Sequence, residues 1–266
     1  MRQQPPRPWD PGAQDRISRS VYHAPDIARH YQSRSLTAAE TAALLKYQAA
    51  FAGRDVLDLG VGTGRTTWYL QPLARRYLGV DYSPGMVESF RAALPGIDVR
   101  QADIRDLSEL ESGSFDFVLG SCNVIDALSH FDRLLALRGL RRLLRSGGLL
   151  VFSSHNRAVP AAFGGPRLQR SRNPVTQAQH VLVYLKRLVN HARFRRLRRS
   201  EPEYALLHDA AHDYSLLHYY VDRETQRKQL ERAGLRLLDV FAASGRAAGA
   251  EEIDTESSSL LYVCRR

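Results

Sequence analysis

The sequence has few cysteines, few lysines and no long apolar run. Cys122 and Cys264 are its two cysteines, too few for the disulfide framework of a small secreted protein. No apolar run approaches the roughly 18–20 residues that a membrane-spanning helix needs. Residues 1–11 are polar and proline-rich, unlike a signal peptide. These absences predict a protein of the reducing cytoplasm that has no membrane partner.

Because lysine is scarce, arginine supplies nearly all of the positive charge behind a formal net charge of +10. A basic chain is typical of nucleic-acid binding, but a general bias toward arginine gives the same balance. Residues 184–200 concentrate seven cations without an acid. They fit either an RNA-facing helix or a solvated helical lid. The lid is favoured, and a nucleic-acid partner is not excluded.

A glycine-rich turn follows the first predicted strand. Residues 55–59 form a short apolar run typical of a buried strand, and a helix is predicted from about residue 64 to 74. Glycine lets the backbone turn sharply and approach a ligand closely, and the free N–H groups of the helix point into the turn. A doubly wound α/β fold presents a nucleotide-like ligand in this way. The glycines are Gly60, Gly62 and Gly64.

Two residues near this turn disfavour an NAD site. The third glycine of the dinucleotide fingerprint G-x-G-x-x-G is replaced by Arg65. Asp58, two residues before Gly60, would repel a pyrophosphate and instead suits a cationic ligand.

Acidic residues lie at the carboxyl ends of three consecutive predicted strands. Asp58 lies near the glycine turn, Asp81 follows a strand at 77–80, and Asp103 lies in the strand end at 98–103. An acid in the position of Asp81 accepts both hydroxyls of a ribose. The position therefore indicates a ribose without choosing the cofactor.

The pattern D-x-G-x-G-x-G at 58–64 and the segment LGVDYSPGM at 78–86 resemble the first two motifs of class I S-adenosylmethionine (SAM) dependent methyltransferases. The resemblance covers about residues 51–154, extends more loosely through 222–264, and is to the small-molecule branch. It implies SAM as the cofactor and S-adenosylhomocysteine as the product. It also implies an α/β fold with a Rossmann-like doubly wound seven-stranded sheet, mostly parallel with one antiparallel strand, in the order 3-2-1-4-5-7-6.

The resemblance and the local periodicity together divide the chain into five parts, with an N-terminal helical cover and a helical lid insertion after strand five. They are a disordered lead (1–20), cover helices (21–52), the SAM-binding core (53–155), a substrate-side lid (156–220), and the last helix and strands of the core (221–266).

The cofactor-binding residues are implied by the resemblance, position by position. Tyr82 and Met86 would flank the adenine, Asp103 would accept its amino group, and Ile104 would cover the ring. The loop after strand four would pass the methionine end, where a carbonyl of Ser121 or Cys122 takes the ammonium group. The predicted set is Tyr31, Asp58, Gly60, Gly62, Gly64, Asp81, Tyr82, Met86, Asp103, Ile104, Ser121 and Cys122.

The predicted catalytic residues are His155, Asn123 and Tyr219. His155 ends strand five and is a candidate general base or hydrogen-bond partner of the substrate, whereas Asn123 would face the sulfonium or the substrate. Tyr219 belongs to a histidine- and tyrosine-rich segment, 208–220, that would line a substrate pocket. His208 and His212 are four residues apart but lack the H-E-x-x-H pattern, so no metal is expected.

The predicted function is SAM-dependent transfer of a methyl group to a nitrogen or oxygen atom of a small-molecule acceptor. The reaction is an in-line displacement, with secondary metabolism and natural-product biosynthesis as the expected context. Two alternatives stay open: methylation of rRNA or tRNA through residues 184–200, and a non-catalytic SAM-binding regulatory or assembly protein. A homodimer is also possible.

Overall fold

The computed structural model describes residues 12–23, 31, 33–249 and 252–266, without the side chains of residues 13, 161 and 211. Five parallel strands form the centre of the sheet. β1 (Asp55–Leu59) lies between β2 (Arg76–Asp81) and β4 (Phe115–Gly120), β3 (Val99–Gln101) lies beyond β2, and β5 (Leu144–Asn156) lies beyond β4. All five residues of β1 are buried, as expected for a central strand of a parallel sheet that is covered on both faces.

Two further strands complete the predicted core. β10 (Ser259–Arg265) pairs antiparallel with β5 and, on its other side, with β9 (Arg236–Phe241). The order β3-β2-β1-β4-β5-β10-β9 confirms the predicted order 3-2-1-4-5-7-6, and β10 is the single antiparallel strand among these seven.

Three short strands that the sequence did not predict extend this sheet at the end of β5. They are β6 (Arg199–Ser200), β7 (Ala205–Leu207) and β8 (His218–Val221). β8 pairs parallel with the last two residues of β5, and β7 and β6 follow antiparallel. The described part of the chain therefore forms ten strands rather than seven. All residues of β7 and β8 are buried, and their pairing with a distant strand leaves no local periodicity to detect.

Seven α-helices flank the sheet within the described residues. They are α1 (Gly12–Tyr22), α2 (Ala38–Lys46), α3 (Thr67–Leu70), α4 (Pro84–Ala93), α5 (His130–Leu143), α6 (Pro174–Phe194) and α7 (Arg223–Arg232). Four of these helices, α2, α4, α5 and α7, follow a capping residue whose side chain accepts a hydrogen bond from a backbone N–H of the first turn. The capping residues are Thr37 (in a capping box with Glu40), Ser83, Ser129 and Asp222.

Apolar side chains pack on both faces of the sheet. One cluster includes Leu57, Leu137 and Phe152, and the other includes Val56 and Phe117. The two clusters fix the strand ends that surround the candidate site. α3 is shorter than the predicted helix over 64–74, because the glycine turn continues to its start and Pro72 cannot donate a helical hydrogen bond.

The prediction of a disordered lead over residues 1–20 is wrong for residues 12–20, which belong to α1. Gln14 is buried and donates from Nε2 to the carbonyl oxygens of Leu128 (3.0 Å) and Leu217 (3.3 Å). These contacts with the core stabilise a helix whose polar sequence gave little sign of it. The first eleven residues lie outside the described part.

The basic helix α6 follows Asn173, which caps it, and has no buried residue. Lys186 and Arg187 each donate to the carboxylate of Asp213 at 2.9 Å, and Asn190 donates to its carbonyl oxygen at 2.8 Å. These bonds attach α6 to the segment around Asp213, which belongs to the same insertion between β5 and α7. Among the described residues, no helix combines the length and apolar character that crossing a bilayer requires.

Candidate functional site

A cavity of about 300 Å³ lies at the carboxyl ends of β1, β2 and β4. Ten of the twelve predicted cofactor-binding residues line it, and Asp58 and Gly64 do not. The ten are Tyr31, Gly60, Gly62, Asp81, Tyr82, Met86, Asp103, Ile104, Ser121 and Cys122. The cavity volume is at the lower end of the range typical of small-molecule sites.

The glycine turn forms the floor of this cavity. Gly60 has φ +60°, and a Cβ there would lie 2.3 Å from Cγ2 of Val124, so only glycine fits. Gly64 has a different role, because a Cβ there would lie 2.4 Å from Cδ1 of Leu94, at the end of α4. Gly64 thus lets the turn pack on α4 rather than approach a ligand.

Asp81 connects the turn to the second strand. Its carboxylate accepts hydrogen bonds at 2.9 Å from the backbone N–H groups of Gly62 and Ser83. Burial raises the pKa of Asp81, and these backbone donors oppose the shift. The side chain lies on the cavity wall, where an acid that binds a ribose is expected.

Asp103 lies on the same wall but is engaged by arginines. Arg105 donates from Nε (2.9 Å) and from Nη2 (2.5 Å) to its two oxygens, and Arg19 of α1 lies at 3.4 Å. Burial alone would raise the pKa of Asp103, but Arg105 holds it below its usual range. An adenine amino group would have to share this carboxylate with Arg105.

Asp58 lies beneath the turn and is fully buried. Its Oδ2 accepts hydrogen bonds from the hydroxyls of Thr66 (2.7 Å) and Tyr77 (2.8 Å), and its Oδ1 has no partner among the described residues. Burial raises the pKa of this carboxyl to about 6. The structure thus places Asp58 where it supports the turn from below, not where it faces the cavity as predicted.

A charged network that the sequence did not reveal closes one side of the cavity. Glu40 of α2 is buried and binds Arg65 through both carboxylate oxygens, at 2.6 and 2.7 Å. Arg65 also donates to Ser121 Oγ (2.7 Å) and Cys122 Sγ (3.0 Å), and Ser121 donates to Glu40. Burial alone would raise the pKa of Glu40, but the bonds from Arg65 lower it below 4.5. This network holds the loop after β4 against the N-terminal cover.

The N-terminal cover contributes more to the cavity than predicted. Tyr31 lines it and accepts a hydrogen bond at its carbonyl oxygen from Thr63 Oγ1 at 2.6 Å. Three residues of α1 also line it: Asp15, Ser18 and Tyr22. Ser18 and Tyr22 recur at helical spacing on one face, but no feature of the polar N-terminus pointed to a ligand.

The loop after β4 has a strained backbone. Cys122 and Asn123 have φ values of 50° and 57°, in a region that residues other than glycine rarely adopt. The backbone N–H of Asn123 donates to Ser153 Oγ at 2.7 Å, and its side-chain Nδ2 lies 3.2 Å from His155 Nε2. Asn123 and His155, two of the predicted catalytic residues, are therefore in contact just beyond the cavity-lining Cys122.

His155 is oriented by Asp126, a residue that sequence reasoning missed. Asp126 Oδ2 accepts hydrogen bonds from the Nδ1 (2.7 Å) and the backbone N–H (2.6 Å) of His155. Asp126 is fully buried, accepts a hydrogen bond from Ser154 Oγ at 2.8 Å, and forms an ion pair with fully buried Arg133. Burial alone would raise the pKa of Asp126, but Arg133 and His155 hold it below its usual range. An ionised Asp126 places the hydrogen of His155 on Nδ1 and leaves Nε2 facing away from it.

The insertion brings a second group of polar side chains to His155. β8 pairs Tyr220 with His155, and the imidazole rings of His155 and His218 stack with centroids 4.8 Å apart. Asp209 Oδ2 lies 3.8 Å from His155 Nε2 and 3.3 Å from His218 Nδ1, and Tyr220 donates to the same oxygen. Burial alone would raise the pKa of Asp209, but His218 and Tyr220 hold it well below its usual range.

Tyr219, the third predicted catalytic residue, does not line the cavity. It is fully buried, its hydroxyl lies 2.8 Å from His130 Nδ1, and Gln229 donates to it at 2.8 Å. Its neighbours in the chain, His218 and Tyr220, point to the opposite face of β8 and reach His155. The alternation of side chains along β8 therefore separates Tyr219 from the group around His155.

Known proteins resemble the segment that builds this cavity. A sequence profile described as “Methyltransferase domain” matches residues 57–152. The “probable S-adenosylmethionine-dependent methyltransferase” of Mycolicibacterium smegmatis is 36% identical over 106 residues, 40% of each chain. The ubiquinone biosynthesis O-methyltransferase of Xanthomonas oryzae pv. oryzae is 34% identical over 117 residues, 42% of this chain and 47% of that relative. The chain spans less than half the length of these curated relatives.

Solved structures share the fold over most of the chain. The 1,6-didemethyltoxoflavin-N1-methyltransferase of Burkholderia thailandensis, solved with S-adenosylhomocysteine, has a TM-score of 0.60 at 15% identity over 97% of this chain and 91% of its own. A SAM-dependent methyltransferase of Mesorhizobium loti has a TM-score of 0.58 at 22% identity, covering 86% of this chain and 98% of its own. The profile match and the sequence likenesses over the cavity-forming strands, with the shared fold, identify residues 57–152 as a domain of the class I SAM-dependent methyltransferase family.

Proposed function

We propose that this protein is an enzyme that transfers a methyl group from SAM to a nitrogen or oxygen atom of a small-molecule acceptor in secondary metabolism. The observation that carries the proposal is the cavity at the carboxyl ends of β1, β2 and β4. Its glycine turn and Asp81 fall within the residues that match the methyltransferase profile, 57–152.

The cavity fits the nucleoside part of SAM. Asp81 is proposed to accept the ribose hydroxyls, and Tyr82, Met86 and Ile104, which line the same cavity, to supply the apolar wall for a purine ring. Ser18 Oγ and the Tyr82 hydroxyl are buried and have no hydrogen-bond partner among the described residues. Since buried polar groups are usually satisfied, these two atoms indicate that a ligand completes the site.

The amino-acid end of SAM is proposed to lie beside the loop after β4. Arg65 lines the cavity there and provides a cation for a carboxylate, while the carbonyl oxygens of Ser121 and Cys122 suit an ammonium group. The Glu40 network holds Arg65 in place. When bound, SAM supplies a methyl group that its sulfonium already activates, so the protein has mainly to align the acceptor and exclude water.

The acceptor is proposed to bind at His155 and Asn123, next to this loop. Asp126 fixes the His155 ring through Nδ1, which leaves Nε2 as the nitrogen proposed to serve the reacting group of the acceptor. An oxygen acceptor must lose a proton on methylation, whereas an amine must only be presented in its neutral form. Loss of His155 therefore matters more for a hydroxyl acceptor than for an amine.

Two observations support a small molecule over RNA. Lys186 and Arg187 of the basic segment 184–200 are paired with Asp213 within the insertion, and Arg198 donates to the carbonyl oxygen of Phe163 at 3.0 Å. Lys186, Arg187 and Arg198 therefore make contacts within the insertion and contribute to its stability. In addition, a relative at 34% identity is named for methylating an oxygen in ubiquinone biosynthesis.

The test is transfer of labelled methyl from SAM into two pools: a small-molecule extract and total RNA. We expect label in the small-molecule pool and a lower rate for His155→Ala. Label in RNA that is lost on neutralising Arg195, Arg196, Arg198 and Arg199 would favour the nucleic-acid alternative. Tight SAM binding without transfer to either pool would favour a regulatory or assembly role.

A further inference from the structure

Three side chains from separate parts of the chain converge beside the proposed acceptor site. His155 ends β5, His218 begins β8, and Asp209 follows β7. One donor atom from each lies within 4.8 Å of the other two. We propose that His155, Asp209 and His218 form a binding site for a divalent transition-metal ion of the zinc type.

The spacing of the donor atoms suits a single ion. Zinc binds nitrogen and carboxylate oxygen at about 2.0–2.2 Å, so two ligands of a tetrahedral ion are roughly 3.3 Å apart. Asp209 Oδ2 lies 3.3 Å from His218 Nδ1 and 3.8 Å from His155 Nε2. The donor atoms of His155 and His218 lie within 4.8 Å of each other, so the two imidazoles would have to move closer together around a bound ion.

Hydrogen bonds to neighbouring side chains orient two of the three proposed ligands, His155 and Asp209. Asp126 accepts a hydrogen bond from His155 Nδ1 at 2.7 Å, which leaves Nε2 as the coordinating nitrogen. Histidine ligands commonly donate their other N–H to a carboxylate in this way, which fixes the ring and its tautomer. Tyr220 donates to Asp209 and so orients the carboxylate.

The charges also suit a cation. Asp209 places a negative charge beside both imidazoles, 3.8 Å from His155 Nε2 and 3.3 Å from His218 Nδ1. The three side chains are mostly buried, with exposed fractions of 7–18%. Two imidazoles and one carboxylate are a common ligand set for zinc and for non-haem iron.

The role of the metal site in the reaction rests on the proposed function, methyl transfer to an acceptor. Three protein ligands leave a coordination position for water or an acceptor oxygen, and Asn123 lies 3.2 Å from the same His155 nitrogen. A bound ion would lower the pKa of an acceptor hydroxyl. His155 would then contact the acceptor through the ion rather than directly.

The experiment is titration of the chelator-treated full chain with Co²⁺, followed by its visible absorption and by competition with Zn²⁺. We expect one saturable site per chain with the intense bands of four- or five-coordinate Co²⁺. His218→Ala and Asp209→Asn should abolish these bands, and Asp126→Asn should weaken binding about 10- to 100-fold. His180→Ala, a histidine of α6 outside the group, is the matched control and should bind like the wild type.

Circular dichroism checks that each variant is folded, and Asp209→Asn keeps the size of the side chain. Absence of a saturable Co²⁺ site in the folded wild type would overturn the proposal. So would Co²⁺ binding as tight as that of the wild type by folded His218→Ala and Asp209→Asn. Calorimetry with SAM on the same preparations separates the two proposals, since SAM binding without Co²⁺ binding refutes the metal site alone.

Discussion

His155 donates from Nδ1 to Asp126 at 2.7 Å, and Asp126 is itself paired with a fully buried arginine, Arg133. A partly exposed imidazole is therefore anchored to a charged pair in the core. Arg133 also donates to Ser154 Oγ at 3.0 Å, so the end of β5 is held at two successive residues. This relationship gives His155 one orientation at the point where the acceptor is proposed to bind.

Asp126→Ala should destabilise the fold strongly, because it leaves the Arg133 guanidinium buried without its carboxylate. Breaking a buried pair by removing one partner costs about 3–5 kcal/mol, to be measured as the free energy of unfolding in urea. The control is Glu224→Ala, which removes an exposed partner of Arg227 on α7 and should change stability little. Equal effects of the two variants would show that the Asp126–Arg133 pair does not stabilise the fold.

Asp81→Asn should weaken SAM binding about 10- to 100-fold, the effect expected for hydrogen bonds to a charged group worth about 1.5–3 kcal/mol. Calorimetry with S-adenosylhomocysteine should show the same loss, because the ribose is common to both. Asp98→Asn is the control, since Asp98 precedes β3 with its side chain 53% exposed and does not line the cavity. Unchanged affinity for Asp81→Asn would remove this carboxylate from the site.

Glu40→Gln should lower stability in a pH-dependent way. The pKa of Glu40 is below its ordinary value of 4.5 in the folded protein. The stabilisation it contributes is therefore complete above that value and is lost as the pH falls through the folded-state pKa. The difference in unfolding free energy between wild type and variant should be constant above about pH 5 and shrink below about pH 4.5. Glu88→Gln, on the exposed face of α4, should show no such difference, and a gap that widens in acid would contradict this role of Glu40.

Gly60→Ala should reduce both stability and SAM affinity. Alanine at a positive φ costs about 1 kcal/mol, and the new methyl group would also displace Val124 beside the cavity, adding about 1–3 kcal/mol. Gly96→Ala is the matched control, since Gly96 also has a positive φ but no atom within 4 Å of the place that its new methyl group would take. If both variants lose the same amount in thermal unfolding and bind SAM equally, the close approach at Gly60 has no functional consequence.

The core strands and the cavity floor could be predicted because their signals are local, whereas the order of the strands came from the family resemblance. A glycine turn after an apolar run, and capping residues such as Ser83 and Asp222, are readable within a few residues. Residues at the carboxyl ends of parallel strands meet at one edge of the sheet, so Asp81 and Asp103 fall together without any knowledge of their contacts.

The remaining parts depend on contacts between distant segments. No local pattern distinguishes Asp126 from other loop residues, because its role depends on its pairing with Arg133 and His155. Asp209 reaches His155 only because β8 pairs with the end of β5. α1 is stabilised by buried contacts with the core rather than by its own sequence. Periodicity within a segment carries no information of this kind.

Calorimetric titration of the full chain with SAM, S-adenosylhomocysteine and NAD shows directly whether the cavity is a SAM site. We expect one saturable site for each of the first two ligands and no measurable binding of NAD, because Arg65 stands where the dinucleotide fingerprint has its third glycine. NAD binding as tight as that of SAM, or no binding of SAM by the folded protein, would refute the assignment of the cavity.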